Sequence, residues 1–545
     1  MGMMHQREAK ALFLAGYGLL ALLVAGLFWL APTSYAFYYS DAPRHALNGA
    51  FILDLARDLP ISDPVQWAYN YYAQYPALTI LFYPPLYPVF LAVAYAVFGI
   101  SQATAIFVNA LFYMALVTGS YRLARRYVSD GSALAAALMV GAAPEIAFWG
   151  RQIMTDVPAT AALVWATELF LAYGSDLRAR HLYVSAAMAA MAVWLKITVC
   201  FLLPVLAFGL VLVDGRTVLR RSRNWCLVIG MVVAMLPLLW LTVHFGQTNV
   251  QSVAGVADGA APRLSLANWL WYAERLPAQI GWPAVAAVIV GVYVGIVRFV
   301  RCRRIALRWA LLAGWVVVGY LFFSTIDLKH ARFTIPLLPP LIVLGVWGVE
   351  RLFAGMAHQA HIVLAGLGAA TLAITLIYRP PLYVSGYAKI VKSLTRRAPE
   401  HSNIIFSGYR DGAFIFAMRA IGNRPDVGVI RADKLLLSVA IRRSTGVKEK
   451  NLTAAQIADQ ITRFRGAYVV AQDGFWTDLT EMKRLQEVLH SSQFKAVAHY
   501  RLDENFNAPD KTITVYRNEA KLPVYAAPLS ISLPAVNRTV TQKSN

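Results

Sequence analysis

The sequence predicts a polytopic α-helical membrane protein, with about 11 transmembrane helices and a small C-terminal extracytoplasmic α/β domain. Only 14% of its 545 residues are charged, whereas a soluble domain carries about 25%. Hydrophobic residues make up 58% of the chain, and the mean hydropathy is +0.51. This composition excludes an ordinary soluble enzyme and also a disordered chain, which is poor in hydrophobic residues. The three cysteines, all in or beside apolar runs, exclude a disulfide framework and a cysteine-rich zinc site.

Apolar windows long enough to cross a bilayer, about 20 residues each, occur at eleven places. They lie near residues 11–31, 103–121, 132–148, 155–173, 182–198, 199–213, 225–243, 283–300, 308–325, 335–353 and 361–378. A further apolar stretch at 85–99 is short and is bracketed by prolines and a Phe-Gly pair. It is either a twelfth span or an interfacial helix.

The distribution of basic residues favours the eleven-span alternative, because Lys and Arg concentrate in short cytoplasmic loops. With a cytoplasmic N-terminus and a non-crossing 85–99, the inside segments carry 17 basic residues and the longer outside loops carry 8. A crossing at 85–99 would move every later loop to the other side and abolish this bias. The first span has a longer apolar core than a signal peptide, so we predict an uncleaved anchor and an outside C-terminus.

From Arg379 onward the composition changes, and this part carries +11 of the total charge of +21. Strand-like runs alternate with helical patterns there, which is typical of a small α/β domain. The strand-like runs are Asn403–Phe406, Val427–Ile430, Ala467–Ala471, Ala496–Tyr500 and Thr512–Tyr516; the helical patterns are Gly412–Ala420, Ala454–Phe464 and Leu479–Leu489. We therefore predict a membrane domain at 1–378 and an α/β domain at 379–545, with a loose end from about residue 523.

Charges outside the membrane but close to a span are costly, which makes them the first functional candidates. Asp41 follows span one, and Arg44 and His45 come directly after it. A carboxylate at the start of a helix is kept ionised by the helix dipole, so Asp41 suits the deprotonation of a hydroxyl or the binding of a cation. A plain helix N-cap is the structural alternative.

A second group, with Glu145, Arg151 and Asp156, lies where span three meets span four. Asp156 also fits an N-cap when taken alone. In the predicted topology, however, all three residues emerge on the same outer face as Asp41. That coincidence favours a shared site.

The third group, Lys329, His330 and Arg332, concentrates basic residues on the predicted outer side, against the positive-inside bias. Phosphate binding would explain this placement, and so would anchoring to lipid headgroups. Lys196, between two short apolar stretches, is similar, with a snorkelling lysine as the alternative.

Prolines and aromatic residues mark the first outer loop. Pro84 and Pro85, after Tyr83, impose an extended entry to the helix at 85–99. An aromatic stripe precedes them, suited to stacking on a sugar or to packing within the loop and the membrane interface. It consists of Trp67, Tyr69, Tyr71, Tyr72 and Tyr75.

Taken in order, these pieces resemble the glycosyltransferase-C superfamily, and within it the dolichyl-phosphate-mannose protein mannosyltransferases and the bacterial aminoarabinose transferases. The resemblance covers about residues 10–350. It rests on the acidic residue after span one, Pro84-Pro85-Leu86-Tyr87-Pro88, the helix ending in Phe98-Gly99, Arg125-Arg126-Tyr127, Thr155-Asp156-Val157-Pro158, and Arg332-Phe333 before a proline-rich span.

The resemblance implies inverting transfer of a hexosyl or pentosyl group from a polyprenyl-phosphate sugar to a lipid, glycan or protein hydroxyl. It implies a bacterial inner-membrane protein with a cytoplasmic N-terminus, a periplasmic α/β domain and no nucleic-acid partner. The catalytic residues would be Asp41 and Asp156. Asp41 would be the base or the carboxylate that orients the acceptor, and Asp156, the second acidic position, would shape the site or hold a metal. The donor phosphate would be held by Lys329, His330, Arg332 and Lys196, and the substrate would be shaped by Arg44, His45, Tyr83, Pro84, Pro85, Glu145 and Arg151.

The resemblance implies that no cofactor is required. It leaves open whether a divalent cation, Mg²⁺ or Mn²⁺, binds; if one does, its ligands would be Asp41 and Asp156. Two positions depart from the family pattern. Ser40-Asp41 stands where the family usually has an Asp-Glu pair, which argues against metal support, and Asn109 stands where an arginine is common.

A transporter or lipid flippase is the main alternative. Transporters place their site near the bilayer midplane, often within internal repeats. Here the notable charges gather at the predicted outer edge, and residues 1–378 contain no evident repeat. A scaffold protein that works through its soluble domain is a third possibility, which binding by the isolated 380–545 fragment would favour.

Overall fold

The computed structural model describes residues 2–246, 261–302, 306–439, 443, 446–507, 511–527, 530–533 and 538–541. Among the described residues up to Tyr378, the secondary-structure elements are helices. They are α1 (Gly2–Trp29), α2 (Asp41–Asp58), α3 (Pro64–Gln74), α4 (Leu86–Phe98), α5 (Gln102–Ala124), α6 (Asp130–Ala142), α7 (Pro144–Gly150), α8 (Asp156–Asp176), α9 (Ala179–Leu195), α10 (Leu202–Asp214), α11 (Ser222–Phe245), α12 (Leu266–Ile280), α13 (Trp282–Cys302), α14 (Leu307–Ser324), α15 (Leu338–Leu352) and α16 (Ala357–Tyr378). Short 3₁₀ turns lie at Ile197–Phe201, Gly215–Thr217 and Ala331–Leu337.

Eight helical segments of the described chain are long and apolar enough to cross a membrane, and each coincides with a predicted span. The predicted span 132–148 is broken, because α6 and α7 meet at 58°. Pro144 explains the break: it forces Ala143 into an extended conformation (ψ 127°), which cannot continue a helix. The predicted spans 11–31 and 182–198 correspond to the shorter apolar segment Leu14–Trp29 and to the 17-residue α9. The predicted fold class is confirmed.

Helix α4 has 13 residues and is therefore about 20 Å long, too short for a hydrocarbon core of about 30 Å. One of its sides exposes Val93, Val97 and Phe98. Its other side packs on α2 at Gly49, where an added Cβ would lie 2.6 Å from the Cβ of Leu91. Its length agrees with the interfacial alternative, which stays a prediction.

The chain after α16 folds into an α/β region. Its strands are β1 (Val384–Ser385), β2 (Asn403–Ser407), β3 (Gly428–Arg431), β4 (Leu437–Val439), β5 (Val447–Glu449), β6 (Gly466–Gln472), β7 (Phe494–Arg501), β8 (Asp503–Glu504), β9 (Thr512–Asn518), β10 (Ser530–Leu533) and β11 (Arg538–Thr541). Its helices are α17 (Tyr387–Thr395), α18 (Asp411–Ala417), α19 (Ala432–Leu436), α20 (Ala454–Arg463) and α21 (Thr480–Leu489). All the predicted strands and helices of this region have counterparts here.

The central sheet has the order β3-β2-β6-β9-β7, with β3, β2 and β6 parallel and β9 antiparallel to both of its neighbours. Alternate residues of β2 point to opposite faces. Ile405 joins a core that includes Ile457 of α20 and Leu485 of α21. Ile404 and Phe406 join the large core that continues into the helix bundle. One face of the sheet is therefore docked on the bundle, and we call that side of the bundle its α/β end.

Ion pairs reinforce this docking between residues far apart in sequence. Arg44 of α2 binds both oxygens of Asp411 (2.9 and 3.1 Å), and Arg431 approaches the same carboxylate at 2.8 Å. Asp54, at the other end of α2, binds Arg419 in the same bidentate way. Burial favours neutral Asp411, but Arg431 and Arg44 outweigh it, so the pKa of this carboxyl lies below its ordinary value.

We expect Asp411→Asn to destabilise the junction, because it leaves the largely buried Arg44 guanidinium without its carboxylate and leaves Arg431 with Asp433 alone. Breaking a buried ion pair on one side costs about 3–5 kcal/mol. Limited proteolysis of the variant should release the α/β region faster than in the wild type, and the melting temperature should fall. Asp478→Asn is the matched control, because the Asp478–Arg443 pair is exposed and such pairs contribute about 0–1 kcal/mol. Equal behaviour of the two variants would contradict this prediction.

Candidate active site

Four chain segments end or begin together at the α/β end of the bundle. Asp41 is the first residue of α2, and Asp156 is the first residue of α8. Lys196 follows α9, and Arg332 lies in the 3₁₀ turn before α15. Helix starts attract carboxylates, so the local sequence explains the two aspartates. We call these four residues the carboxylate–cation cluster.

Asp41 and Arg332 face each other, with 3.5 Å between Oδ2 and Nη2. The Tyr83 side chain lies near the Asp41 carboxylate, within reach of a hydrogen bond from its hydroxyl. The guanidinium of Arg332 lies over the rings of Tyr39 and Trp149, at 4.6 and 5.2 Å, an arrangement that stabilises a cation. Its Nε is buried and has no hydrogen-bond acceptor within the described part of the chain. That N–H is therefore available to an anionic oxygen of a substrate.

Asp156 and Lys196 form the second pair of the cluster through Oδ1 and Nζ. The carboxylate is 1% exposed and the ammonium side chain 14%. Oδ2 of Asp156 has no donor among the described residues. Lys196 also lies 5.4 Å from the centre of the Phe333 ring, which brings this pair next to the turn that holds Arg332.

His45 lies beside the cluster and is fully buried. Neither of its ring nitrogens has a hydrogen-bond partner in the described structure. Its ring contacts Tyr83, with 4.4 Å between centroids. Burial lowers the pKa of His45 to about 4, although the nearby Asp41 opposes the shift. The neutral imidazole can therefore donate one hydrogen bond and accept another at pH 7.

His330 lies two residues before Arg332 and also reaches the cluster. Its ring lies 5.5 Å from Trp149, between centroids, and its Nδ1 accepts a hydrogen bond from the backbone N–H of Arg332. Burial and then Arg332 lower the pKa of His330 to about 4. A neutral imidazole adds no positive charge here, so the charge for a phosphate comes from Arg332 and Lys196.

The buried neutral state of His45 makes stability depend on pH. Its pKa is lower in the folded chain than the unfolded value of about 6.5, so the unfolded chain binds the proton first as the pH falls. We expect His45 to lower the free energy of unfolding by about 2 kcal/mol between pH 7 and pH 5. The melting temperature of His45→Gln should fall less over this interval than that of the wild type. His401→Gln, at an exposed histidine, should follow the wild type, and a parallel decline in all three proteins would contradict the assignment.

Several sequence-predicted site residues lie apart from the cluster. Lys329 donates to the carbonyls of Phe323 and Ser324 at 3.3 and 2.7 Å, and lies 5.5 Å from the Tyr272 ring. It caps the end of α14, and no contact brings its ammonium to Asp41 or Asp156 in the described residues. Its predicted part in phosphate binding therefore has no geometric support.

The structure gives Arg44, Glu145 and Arg151 supporting contacts. Arg44 holds Asp411 at the junction with the α/β region. Glu145 binds Arg379 at 2.5 Å and accepts the indole N–H of Trp149 at 2.8 Å, and so fixes a ring that lies against Arg332. Arg151 is buried and donates to the carbonyls of Ala147 and Arg379.

The proline pair and Asn109 also have structural explanations. Pro85 is the N-cap of α4, directly after Pro84. The hydroxyl of Tyr87, in the first turn of α4, donates to Asn109 at 2.6 Å. Asn109 in turn donates to the carbonyls of Gly150 and Gln152. At the position where an arginine is common, this chain thus has a residue that ties α4 and α5 to the loop before Asp156.

Sequence reasoning missed Tyr39 and Trp149 as parts of the site, although both lie beside residues that it selected. Neither residue type is diagnostic, since aromatic residues are common at membrane interfaces. Their role is visible only from the position of Arg332, which is far away along the chain. Gln152 was also missed, and its side-chain nitrogen is buried without an acceptor in the described chain.

The donor set fits a divalent metal poorly. A metal held by Asp41 and Asp156 would lie beside the cations that already face these carboxylates, Arg332 and Lys196. Within the described residues, no group of three or more His, Cys, Asp or Glu is placed to hold a metal ion. We therefore route no step of the chemistry through a metal.

Comparison with known proteins places this geometry in context. The family model for dolichyl-phosphate-mannose-protein mannosyltransferases matches residues 83–240. No curated protein matches the chain by sequence. Among solved structures, ArnT from Cupriavidus metallidurans bound to undecaprenyl phosphate superimposes with a TM-score of 0.61 and 15% identity, over 96% of this chain and 100% of that one.

Two other membrane proteins share the architecture. The arabinofuranosyltransferase AftD from Mycobacteria gives a TM-score of 0.55 at 15% identity, over 93% of this chain and 40% of that chain. The oligosaccharyltransferase of Archaeoglobus fulgidus in the apo form gives 0.53 at 12% identity, over 94% and 75% of the two chains. The chain has the glycosyltransferase-C fold. The family-model match over residues 83–240 adds sequence support, and together the two findings confirm the predicted resemblance to the glycosyltransferase-C superfamily.

Proposed function

We propose that this glycosyltransferase-C protein transfers a sugar from a polyprenyl-phosphate donor to an acceptor hydroxyl, with inversion at the anomeric carbon. The observation that carries the proposal is the carboxylate–cation cluster. It combines a partly exposed carboxylate, Asp41, with a desolvated guanidinium, Arg332, whose Nε lacks a partner among the described residues. The undecaprenyl phosphate bound to ArnT supports the donor class.

In this proposal Asp41 accepts the proton of the acceptor hydroxyl as that oxygen attacks the anomeric carbon. The bond between that carbon and the phosphate oxygen breaks, and its electron pair stays on the phosphate. Arg332 stabilises the negative charge that grows there, with Lys196 behind it. A single displacement inverts the anomeric centre, and the products are the glycosylated acceptor and polyprenyl phosphate.

Tyr83 and His45 position the reacting groups in this scheme. The Tyr83 hydroxyl orients the Asp41 carboxylate, and the neutral His45 imidazole lies against the Tyr83 ring. We also propose that the α/β end of the bundle faces the periplasm of a bacterial inner membrane, with the N-terminus in the cytoplasm and the α/β domain at 379–545. The excess of basic residues in the loops of the other side supports this orientation.

The test measures release of polyprenyl phosphate from a panel of radiolabelled polyprenyl-phosphate sugars. The full-length protein is placed in nanodiscs with a crude envelope extract as the acceptor source. We expect turnover of one donor class and an inverted linkage in the product. If no donor is turned over and labelled lipid crosses the bilayer in proteoliposomes, the transferase proposal is wrong and the protein is a flippase.

A further inference from the structure

A cavity lies between α3 and the α/β region, away from the carboxylate–cation cluster. Its volume is about 680 Å³, within the range of about 300–1,000 Å³ that is typical of ligand sites. Asp54, in its wall, is thirteen residues after Asp41 on α2, which separates the two sites by about 20 Å. We call this cavity the α3 cleft.

The charges of the α3 cleft balance, with three carboxylates and three guanidiniums in its wall. They belong to Asp54, Asp58, Asp426, Arg419, Arg424 and Arg465. Arg419 and Arg424 make bidentate pairs with Asp54 and Asp426, and Arg465 donates to backbone carbonyls. The cleft therefore has no net charge to attract a phosphate or another strongly charged ligand, and an uncharged ligand fits better.

The remaining wall combines aromatic rings with amides. Trp67 of α3 and Tyr525 of the α/β region, which is 72% exposed, both line the cleft. Asn70 and Asn423 also line the cleft, and Asp58 accepts the indole N–H of Trp67 at 3.1 Å. Aromatic faces pack on the C–H faces of sugar rings, whereas amides and carboxylates bind hydroxyl groups. The aliphatic residues that line this cavity are small, and a lipid tail would find little apolar surface on them. They are Ala73, Pro425, Val524, Ala526 and Ala527.

A peptide that binds as an added strand would need a free strand edge for main-chain pairing. The nearest edge strand, β3, has four residues, and α3 packs against it. We propose that the α3 cleft binds an uncharged oligosaccharide, through the rings of Trp67 and Tyr525 and the amide of Asn423. Calling that oligosaccharide part of a glycan acceptor rests on the proposed function. The proposal that the α3 cleft binds an oligosaccharide does not rest on it.

The experiment is calorimetric titration of the full-length protein in nanodiscs, without any donor lipid. The probes are mannotriose, maltotriose, xylotriose and cellotriose, with trigalacturonate as an acidic counterpart and a neutral hexapeptide of Ala, Ser and Asn. We expect at least one neutral trisaccharide to bind with a Kd of about 1 mM or tighter. Trp67→Ala should weaken that binding about 10-fold, and Trp67→Phe, which keeps a ring, should weaken it less.

Trp67 packs on neighbouring rings, so a surface variant provides an independent measurement. Asn423→Asp adds a charge to the neutral cleft at an exposed residue with positive φ, and should also weaken binding about 10-fold. Asn451→Asp makes the same change at another exposed, positive-φ asparagine outside the cleft, and should leave binding unchanged. The proposal is overturned if no trisaccharide titrates, if trigalacturonate or the peptide binds more tightly, or if Asn423→Asp binds as the wild type does. A protein that binds the sugar but transfers none would overturn the proposed function alone.

Discussion

Asp41→Asn should lower the turnover number for sugar transfer about 1,000-fold, while binding of the donor lipid changes little. The amide keeps the size of the side chain and can still accept a hydrogen bond from Tyr83, but it cannot take up a proton. Positioned general bases contribute about 10²–10⁴-fold to rate. The measurement is single-turnover release of polyprenyl phosphate, with donor affinity determined separately.

Asp459→Asn is the control for this experiment, because it makes the same change at an exposed aspartate on α20. It should turn over as the wild type does. If Asp41→Asn retained more than about one tenth of the wild-type rate, proton transfer to Asp41 would be excluded as a major contribution. If Asp41→Asn weakened donor binding but turned over bound donor at the wild-type rate, Asp41 would belong to the donor site and would not be the base.

Asp156→Asn should lower the free energy of unfolding by about 3 kcal/mol, because it leaves the Lys196 ammonium buried beside Arg332 without its anion. The double variant Asp156→Asn/Lys196→Met removes both charges and should recover most of this loss. A double-mutant cycle with Lys196→Met alone isolates the interaction between the two side chains. Thermal unfolding in one detergent, at one protein concentration, gives the comparison.

The activity of the double variant separates two roles for this pair. If Lys196 supports the phosphate charge, the double variant should fold normally and remain at least about 100-fold slower than the wild type. A stable double variant with wild-type turnover would show that the pair is only structural. Asp130→Asn is the matched control, because the Asp130–Arg125 pair is exposed and its loss should change stability by less than about 1 kcal/mol.

The two carboxylates of the cluster were predictable from sequence, whereas their partners were not. Asp41 and Asp156 each begin a helix next to an apolar run, and both signals are local. Lys196 and Arg332 were selected as unusual basic residues, but nothing in the sequence showed that Lys196 pairs with Asp156 and Arg332 with Asp41. Lys329 had the same local signal as Arg332, and the structure uses it to cap α14.

The sequence by itself determined most of the elements: eight apolar spans, the short apolar helix α4, and the strands and helices predicted for the α/β region. These features depend on hydrophobic periodicity, on prolines and on length, which are properties of neighbouring residues. Only the tertiary structure decided which charges meet. Arg44 and Asp411 are 367 residues apart in the chain, and their pairing depends on how the sheet is docked on the bundle. The free energy of such a pair depends on desolvation and geometry at the contact. Neither can be predicted from the residues that are adjacent to Arg44 or Asp411 in the sequence.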